Sequence, residues 1–254
     1  MKKVVVFSGA GLDKESGVLT FRDVKDGMWN NYKVEDVATP QGWKNSRDKV
    51  LDFYNERRRE MPNVEPNPAH LALSKLEKHF DVTNITQNVS DLLERGGSTN
   101  VIHLHGELTK ARGCYNNSSG ILDIEHKVYD IGYNDIENGD KCEKTGSQLR
   151  PHIVWFNEMP FRTDEAYNAV HEADILIIVG TSLQISYTLD LLTNVRRIVS
   201  DSKNPCKIYY VDPSPMHYLD NYGLSIEYIV ESASKGITEL VESLISKETE
   251  KEVG

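Results

Sequence analysis

The chain has 254 residues, with 39 acidic and 29 basic side chains and a net charge of −10. That length supports one large α/β domain, or a large domain with a small insert, around a substantial core; the acidic balance opposes nonspecific binding to nucleic acid or anionic membrane. Three cysteines, Cys114, Cys142 and Cys206, leave at least one unpaired and give no disulfide framework. After Met1-Lys2-Lys3 the apolar run stops at Ser8-Gly9, too soon for a signal-peptide core or a membrane span, so the expected compartment is the cytoplasm.

The first element is Val4, Val5, Val6 and Phe7, an uninterrupted apolar, β-branched run that predicts the central strand of a parallel sheet covered on both faces. Gly9 and Gly11 follow at once. They lack the Cβ atoms that would keep a backbone away from a diphosphate, and the residues after them can open a helix whose N–H groups favour an anion. The spacing departs from G-x-G-x-x-G, because Lys14 stands where the third glycine would be and the next glycine is Gly17. Asp13 falls near the expected phosphates, a repulsive choice unless its side chain turns away to cap a helix or turn. An ordinary strand and turn also explains a lone G-A-G; the cation Arg22 after T-F favours a phosphate site.

Further strands are expected at 82–86, 101–104, 153–156, 175–179 and 207–211, and helices at 46–60, 68–79, 164–173, 187–199 and 236–247, with Pro66 and Pro68 marking one helix start. This alternation predicts an α/β fold, a parallel sheet with helices on both faces. Two stretches interrupt it and read as insertions: 24–64, rich in charge and aromatics, and 110–150, polar and poor in apolar periodicity. The last residues, 247–254, are charged and expected to fray.

Two polar clusters follow apolar runs, T-Q-N-V-S-D at 86–91 and H-L-H-G-E-L at 103–108. Polar residues at the carboxyl ends of parallel strands project into the ligand crevice, which would bring Gln87, Asn88 and His105 to the dinucleotide held by the first loop. His105 can act as a base near neutral pH, and Asn88 can hold a water or hydroxyl without changing charge. His103 reads instead as a strand-end histidine satisfied by backbone.

Taken together these residues resemble the sirtuin family of NAD-dependent protein deacylases over nearly the entire chain. The matching signatures are G-A-G-L-D-K-E-S-G-V-L-T-F-R at 9–22, E-D-V-A-T-P at 35–40, P-N-P-A-H-L-A-L at 66–73, T-Q-N-V at 86–89, H-L-H-G-E-L at 103–108, R-P-H-I-V-W-F at 150–156 and G-T-S-L-Q at 180–184. The resemblance implies one catalytic unit across 1–254, with a Rossmann-type NAD-binding part at 1–23, 65–109 and 151–254 and a small domain formed by 24–64 and 110–150. It also implies acyl transfer from a protein lysine to ADP-ribose, with NAD consumed as co-substrate and nicotinamide released. His105 would help deprotonate a ribose hydroxyl, Asn88 would position groups around the cationic ribose, and Gln87 would hold the ribose. Gly9, Ala10 and Gly11 would embrace the pyrophosphate, with Arg22 stabilising the loop. Gly180, Thr181 and Ser182 would close around phosphate and adenosine ribose, Asp212 would contact that ribose, and Ala233 would lie near adenine. Val154 and Phe156 would line the acyl tunnel.

Tyr54 and Arg57, at i and i+3 of one helical segment, present a phenol and a guanidinium that can clamp a carboxylate. The Y-x-x-R pattern resembles the sirtuin branch that removes succinyl and malonyl groups; an arginine-rich surface helix is the plain alternative. Three departures stand against the family. Sirtuins usually carry four cysteines in two C-x-x-C pairs, whereas 110–150 offers only Cys114 and Cys142, with His126 and several acids at no ligand spacing, so no zinc is expected. Ser90 replaces an aspartate implicated in holding the nicotinamide carboxamide. Asn157 replaces a glycine in the peptide-binding loop, and Ser186-Tyr187-Thr188 replaces a usual Y-P-A run. An NAD glycohydrolase or ADP-ribosyltransferase on the same fold, and a noncatalytic NAD-sensing module, remain alternatives.

Overall fold

The computed structural model describes residues 1–18, 28–29, 32–116, 122–185, 187–188, 190–191, 205–217, 220 and 223–253, with the backbone alone at 28–29, 114–116, 122–126 and 251–253. Arg22 and most of the helix expected at 187–199 lie outside the described residues. In chain order the first half contains β1 (Lys3–Ser8), α1 (Ala10–Asp13), β2 (Met28–Trp29), β3 (Tyr32–Lys33), α2 (Val34–Val37), α3 (Pro40–Asn45), α4 (Arg47–Glu60), α5 (Pro68–Leu76), β4 (Asp81–Thr86) and α6 (Leu92–Arg95). There follow β5 (Val101–His103), β6 (Gly106–Asn116), β7 (Leu122–Asp130), β8 (Leu149–Ile153), α7 (Thr163–His171), β9 (Ile175–Val179), β10 (Lys207–Val211), β11 (Ile226–Ile229) and a C-terminal helix, Ala233–Val253. Among the described residues no helix is long and apolar enough to cross a membrane.

Among the described residues six strands form one parallel sheet in the order β11-β10-β9-β1-β4-β5. β1 is central because both its faces are apolar. Val4 and Val6 pack with Leu73 and Leu76 of α5 and with Ile237 and Val241 of the C-terminal helix, while Val5 and Phe7 pack with Ala166 and Val170 of α7. Strand alternation sends successive side chains to opposite faces, so a run with no polar interruption is what a doubly covered strand requires. α5 begins where the prolines placed it: Asn67 caps it by accepting from the Ala69 N–H, and Pro68 occupies the first turn. The edge strand β11 was not anticipated, since its Ile226-Glu227-Tyr228-Ile229 run is short and only half buried.

One expected strand is misplaced. The run 153–156 does not join the parallel sheet; β8 ends at Ile153 and pairs antiparallel with β6, in a separate sheet of order β7-β6-β8. Pro151 sits in β8, an edge strand, where a missing N–H is tolerated. The apolar run misled because Trp155 is buried in the core of this smaller unit, against Trp43 and beside Val50, Phe53 and Tyr54 of α4. The stretch 110–150 likewise contains most of β6 and all of β7, although its polarity hid them. Part of that polarity is buried charge. The Arg112 and Arg150 side chains are both buried, and both reach Glu158: Arg150 through Nη1 and Nη2 at 2.6 and 3.0 Å, Arg112 through Nη2 at 3.3 Å. The Arg150 guanidinium also lies 3.2 Å from the centroid of the Trp155 ring.

Burial alone would raise the Glu158 carboxyl, but the Arg150 hydrogen bond and the two guanidinium charges overcome it and hold the carboxyl below its ordinary value. Its contribution to stability is therefore present above pH 4.5 and is lost as pH falls further. Glu158→Gln leaves two buried cations without their counter-charge and should cost about 3–5 kcal/mol. Urea denaturation at pH 7 measures this; a loss under about 1 kcal/mol would show that the arginines are satisfied without the carboxylate.

Candidate active site

The register of the parallel sheet brings three strand ends level. Ser8 pairs with Thr86 on one side and with Val179 on the other, so the segments after β1, β4 and β9 emerge side by side at the carboxyl edge. The first of these, Gly9–Asp13, lies directly on Gly180: Gly9 N–H donates to Val179 O at 3.0 Å and Gly11 N–H to Gly180 O at 2.7 Å. A Cβ on Gly9 would stand 2.7 Å from Thr181 Cβ, and one on Gly11 would stand 2.6 Å from Gly180 Cα. Gly180 itself has φ +60°, and a Cβ there would lie 2.3 Å from the Leu12 nitrogen. Side chains are excluded from this cradle by contact, and Gly180 also needs the left-handed backbone that glycine adopts without cost. Ala10 opens α1, half-buried, between the two glycines.

Asp13 neither faces the cradle nor caps a helix. It is buried, accepts from Ser90 Oγ at 2.6 Å, and meets His70 Nε2 at 3.1 Å. His70 Nδ1 accepts from the Asn67 N–H at 3.2 Å, which leaves the ring proton on Nε2, pointed at Asp13. Asn67 Nδ2 reaches the Leu12 carbonyl at 2.7 Å. The repulsion expected between Asp13 and phosphate is thus removed by two donors that hold its carboxylate inward. Ser90 is tied to a carboxylate across the loop.

The segment after β4 carries the amides. Asn88 Nδ2 donates to Gly9 O at 3.0 Å, fastening it to the glycine loop. Gln87 Oε1 accepts from Thr181 Oγ1 at 2.8 Å, and Gln87 Nε2 donates to the Tyr187 hydroxyl at 3.2 Å. His105 lies just past β5, and its Nδ1 meets the Gln87 carbonyl at 2.8 Å. A carbonyl only accepts, so Nδ1 carries the proton and Nε2 keeps its lone pair, which faces the Tyr187 hydroxyl at 2.7 Å. Burial lowers the His105 pKa against the opposing pull of the Gln87 carbonyl, favouring the neutral ring. His103 points elsewhere, with Nδ1 on the Asn88 carbonyl and Nε2 on Glu94 at 2.8 Å. It is satisfied by a carboxylate as well as by backbone.

The remaining candidates divide. Asp212, past β10, is buried and accepts from the Ser214 N–H at 2.8 Å; Ala233 is buried at the start of the C-terminal helix, and Ser182 is half-buried after Thr181. All lie at the carboxyl edge of the sheet. Val154 N–H donates to His105 O at 2.9 Å, which places the segment after β8 beside that histidine; Phe156 N–H donates to Ala38 O, and the Phe156 side chain is half exposed. Tyr54 and Arg57 share α4 but no hydrogen bond joins them. Tyr54 turns inward and accepts from Trp155 Nε1 at 3.0 Å, whereas Arg57 lies over the Phe53 ring and binds Glu56 and Glu60. Arg57 Nη1 is buried without a hydrogen-bond partner among the described residues. As for zinc, the Cys142 sulfur accepts from the Tyr129 hydroxyl, and no group of three or more His, Cys, Asp or Glu among the described residues is arranged to hold a metal. The Cys114 and His126 side chains are outside that description. Sequence reasoning missed the Asp13–His70 pair and Tyr187 on His105, contacts across 57 and 82 residues that no local pattern signals.

A parallel sheet with a glycine cradle at one strand end, and a carboxamide and an imidazole at the next, defines an α/β protein of the dinucleotide-binding type. A family model described as the Sir2 family matches residues 9–187, and the chain belongs to that family. It is 42% identical over 248 residues to the NAD-dependent protein deacylase of Helicobacter pylori, covering 96% of this chain and 98% of that one. Identity to the protein of the same name from Bacteroides thetaiotaomicron is also 42%, with 96% and 99% covered. Among solved structures it is similar to an ADP-ribose complex of a mutant Sir2 homologue, with TM-score 0.79, 34% identity, and 97% and 93% of the two chains covered. A Sir2 homologue in complex with NAD gives TM-score 0.78 and 34% identity, with 97% and 91% covered.

Gly180→Ala forces a Cβ against the Leu12 backbone in a left-handed conformation. It should destabilise the fold by about 1–3 kcal/mol and weaken dinucleotide binding at least tenfold. Calorimetric titration with ADP-ribose beside thermal melting measures both; wild-type affinity in the variant would refute the cradle.

Proposed function

We propose that this chain is a cytoplasmic NAD-dependent protein lysine deacylase that transfers the acyl group to ADP-ribose and releases nicotinamide. The observation that carries the reading is His105: its tautomer is set by the Gln87 carbonyl, which leaves Nε2 as the acceptor nitrogen, now bonded to the Tyr187 hydroxyl, while Asn88 next to Gln87 is tied to the glycine cradle. The residues present fit a dinucleotide, because three glycine positions would be filled by any Cβ. NAD, when bound, supplies a ribose carbon with nicotinamide as its leaving group. The chain's residues divide the remaining tasks. Gly9, Ala10 and Gly11 present backbone to the pyrophosphate, while Gly180, Thr181, Ser182, Asp212 and Ala233 take the adenosine side, with Arg22 supporting the loop. Gln87 holds the nicotinamide-side ribose, Asn88 orients the groups around its reacting carbon, and His105 Nε2 takes the proton from a ribose hydroxyl. The parts 1–23, 65–109 and 151–254 form the NAD-binding body, and 24–64 with 110–150 form the covering domain.

For the acyl group, we infer that succinyl- and malonyl-lysine are accepted with acetyl-lysine, between Val154, Phe156 and the clamp residues Tyr54 and Arg57. Two facts support it. The Tyr54 hydroxyl accepts from Trp155 and retains its own proton to donate, and Arg57 keeps Nη1 unpaired while Glu56 and Glu60 hold its other nitrogens. A carboxylate is the group that both donors would satisfy.

Mass spectrometry of reactions with NAD and acetyl-, malonyl- or succinyl-lysine peptides tests the function. Acyl-ADP-ribose should form with wild type and fall at least a hundredfold in His105→Ala; nicotinamide release without peptide would point to a glycohydrolase instead. Arg57→Met should reduce desuccinylation roughly tenfold or more and deacetylation far less, and equal losses would remove the clamp. Because burial holds His105 below its ordinary value of 6.5, the neutral base persists into mild acid. The acid limb of kcat/KM should therefore fall below that value, and a limb above it would exclude His105 as the titrating base.

A further inference from the structure

The lone pair of His105 Nε2 is engaged by a side chain that the deacylase reading leaves without a role. The Tyr187 oxygen lies 2.7 Å from His105 Nε2 and 3.2 Å from Gln87 Nε2, and the two rings meet edge-on with centroids 6.0 Å apart. The donor directions follow from the neighbours. His105 Nδ1 is committed as donor to the Gln87 carbonyl, so Nε2 can only accept, and the phenol donates to it. Gln87 Oε1 takes the Thr181 hydroxyl, which turns the amide nitrogen toward the phenol oxygen. Burial pushes the Tyr187 phenol up to about 12, so it is a neutral donor at physiological pH.

The result is a hydroxyl that gives a hydrogen bond to the base and receives one from the amide. A ribose hydroxyl held by Gln87 and awaiting deprotonation by His105 needs the same two bonds. We propose that Tyr187 is a further residue of the NAD site, holding the place of the reacting ribose hydroxyl and setting the affinity for the nicotinamide-side ribose through its displacement. This rests on the reading of His105 as the base. One lone pair accepts one short hydrogen bond, so the phenol and the ribose hydroxyl exclude each other at Nε2. The backbone beside Tyr187 is anchored independently, since the buried Thr188 hydroxyl reaches the carbonyls of Leu183 and Ile185 at 3.0 and 2.6 Å. The side chain can therefore leave by rotation while the turn stays in place. In its present place the ring packs against the core around α7, a contact it gives up on rotating out, and the hydroxyl bond to Nε2 is what removal of the phenol abolishes.

Calorimetric titration of wild type, Tyr187→Phe and Tyr187→Leu with ADP-ribose and with ADP tests this. ADP has no nicotinamide-side ribose and does not compete with the phenol. Loss of the hydroxyl should lower the ADP-ribose Kd roughly three- to tenfold in both variants and leave the ADP Kd within about twofold. Equal shifts for both ligands, no shift, or weaker ADP-ribose binding would overturn the proposal. Acyl-ADP-ribose formation separates the two readings. An inactive chain with the selective shift loses the deacylase reading alone, and an active chain without the shift loses only the role of Tyr187.

Discussion

The contact between the Gly11 N–H and the Gly180 carbonyl sets the geometry on which the rest of the site depends. Two loops from neighbouring strands of the parallel sheet meet backbone to backbone, at a separation that no side chain on either would permit. Once they meet, Thr181 is delivered to Gln87, Gln87 offers its carbonyl to His105, and His105 has one tautomer. Asn88 closes the same circuit from the other side through the Gly9 carbonyl. Each link is an ordinary hydrogen bond, worth about 1 kcal/mol alone. Their joint effect is larger than that figure suggests, because a side chain fixed in one orientation by several bonds has little freedom left to lose.

Charge is arranged in the two units by opposite means. At the loop after β1 the carboxylate of Asp13 is met by the Ser90 hydroxyl and by the Nε2 of His70, whose Nδ1 accepts from the Asn67 N–H. In the smaller unit two buried guanidiniums share one carboxylate, Glu158, and the Ile153 carbonyl takes a further bond from each. An Arg pair over Trp155 and Phe161 gains from the ring faces as well as from the carboxylate. The small sheet therefore has a polar centre built from charge and ring faces together.

What the sequence revealed followed the range of each interaction. The doubly buried β1 and the cap and prolines of α5 are local patterns, and the structure has them where the residues place them. The failures are cases where a local pattern was outvoted at a distance. Val154-Trp155-Phe156 looks like a strand, yet Trp155 turns into the α4 core and the strand stops before it. Asp13 looked repulsive because His70 and Ser90 lie 57 and 77 residues away. The spacing of Tyr54 and Arg57 puts both on α4 as expected, but their partners Trp155, Glu56 and Glu60 were not legible.

His70 joins events that are usually separate. One imidazole nitrogen completes the first turn of α5 at the Asn67 N–H, and the other grips Asp13 in the loop after β1. Asn67 adds its own bond to the Leu12 carbonyl. A ring braced at both ends makes the start of a helix and the shape of the glycine loop a single cooperative unit, so neither can be remodelled alone. Variation in this part of the molecule is thereby confined to joint changes, and the loop inherits the rigidity of the helix against which it is pinned.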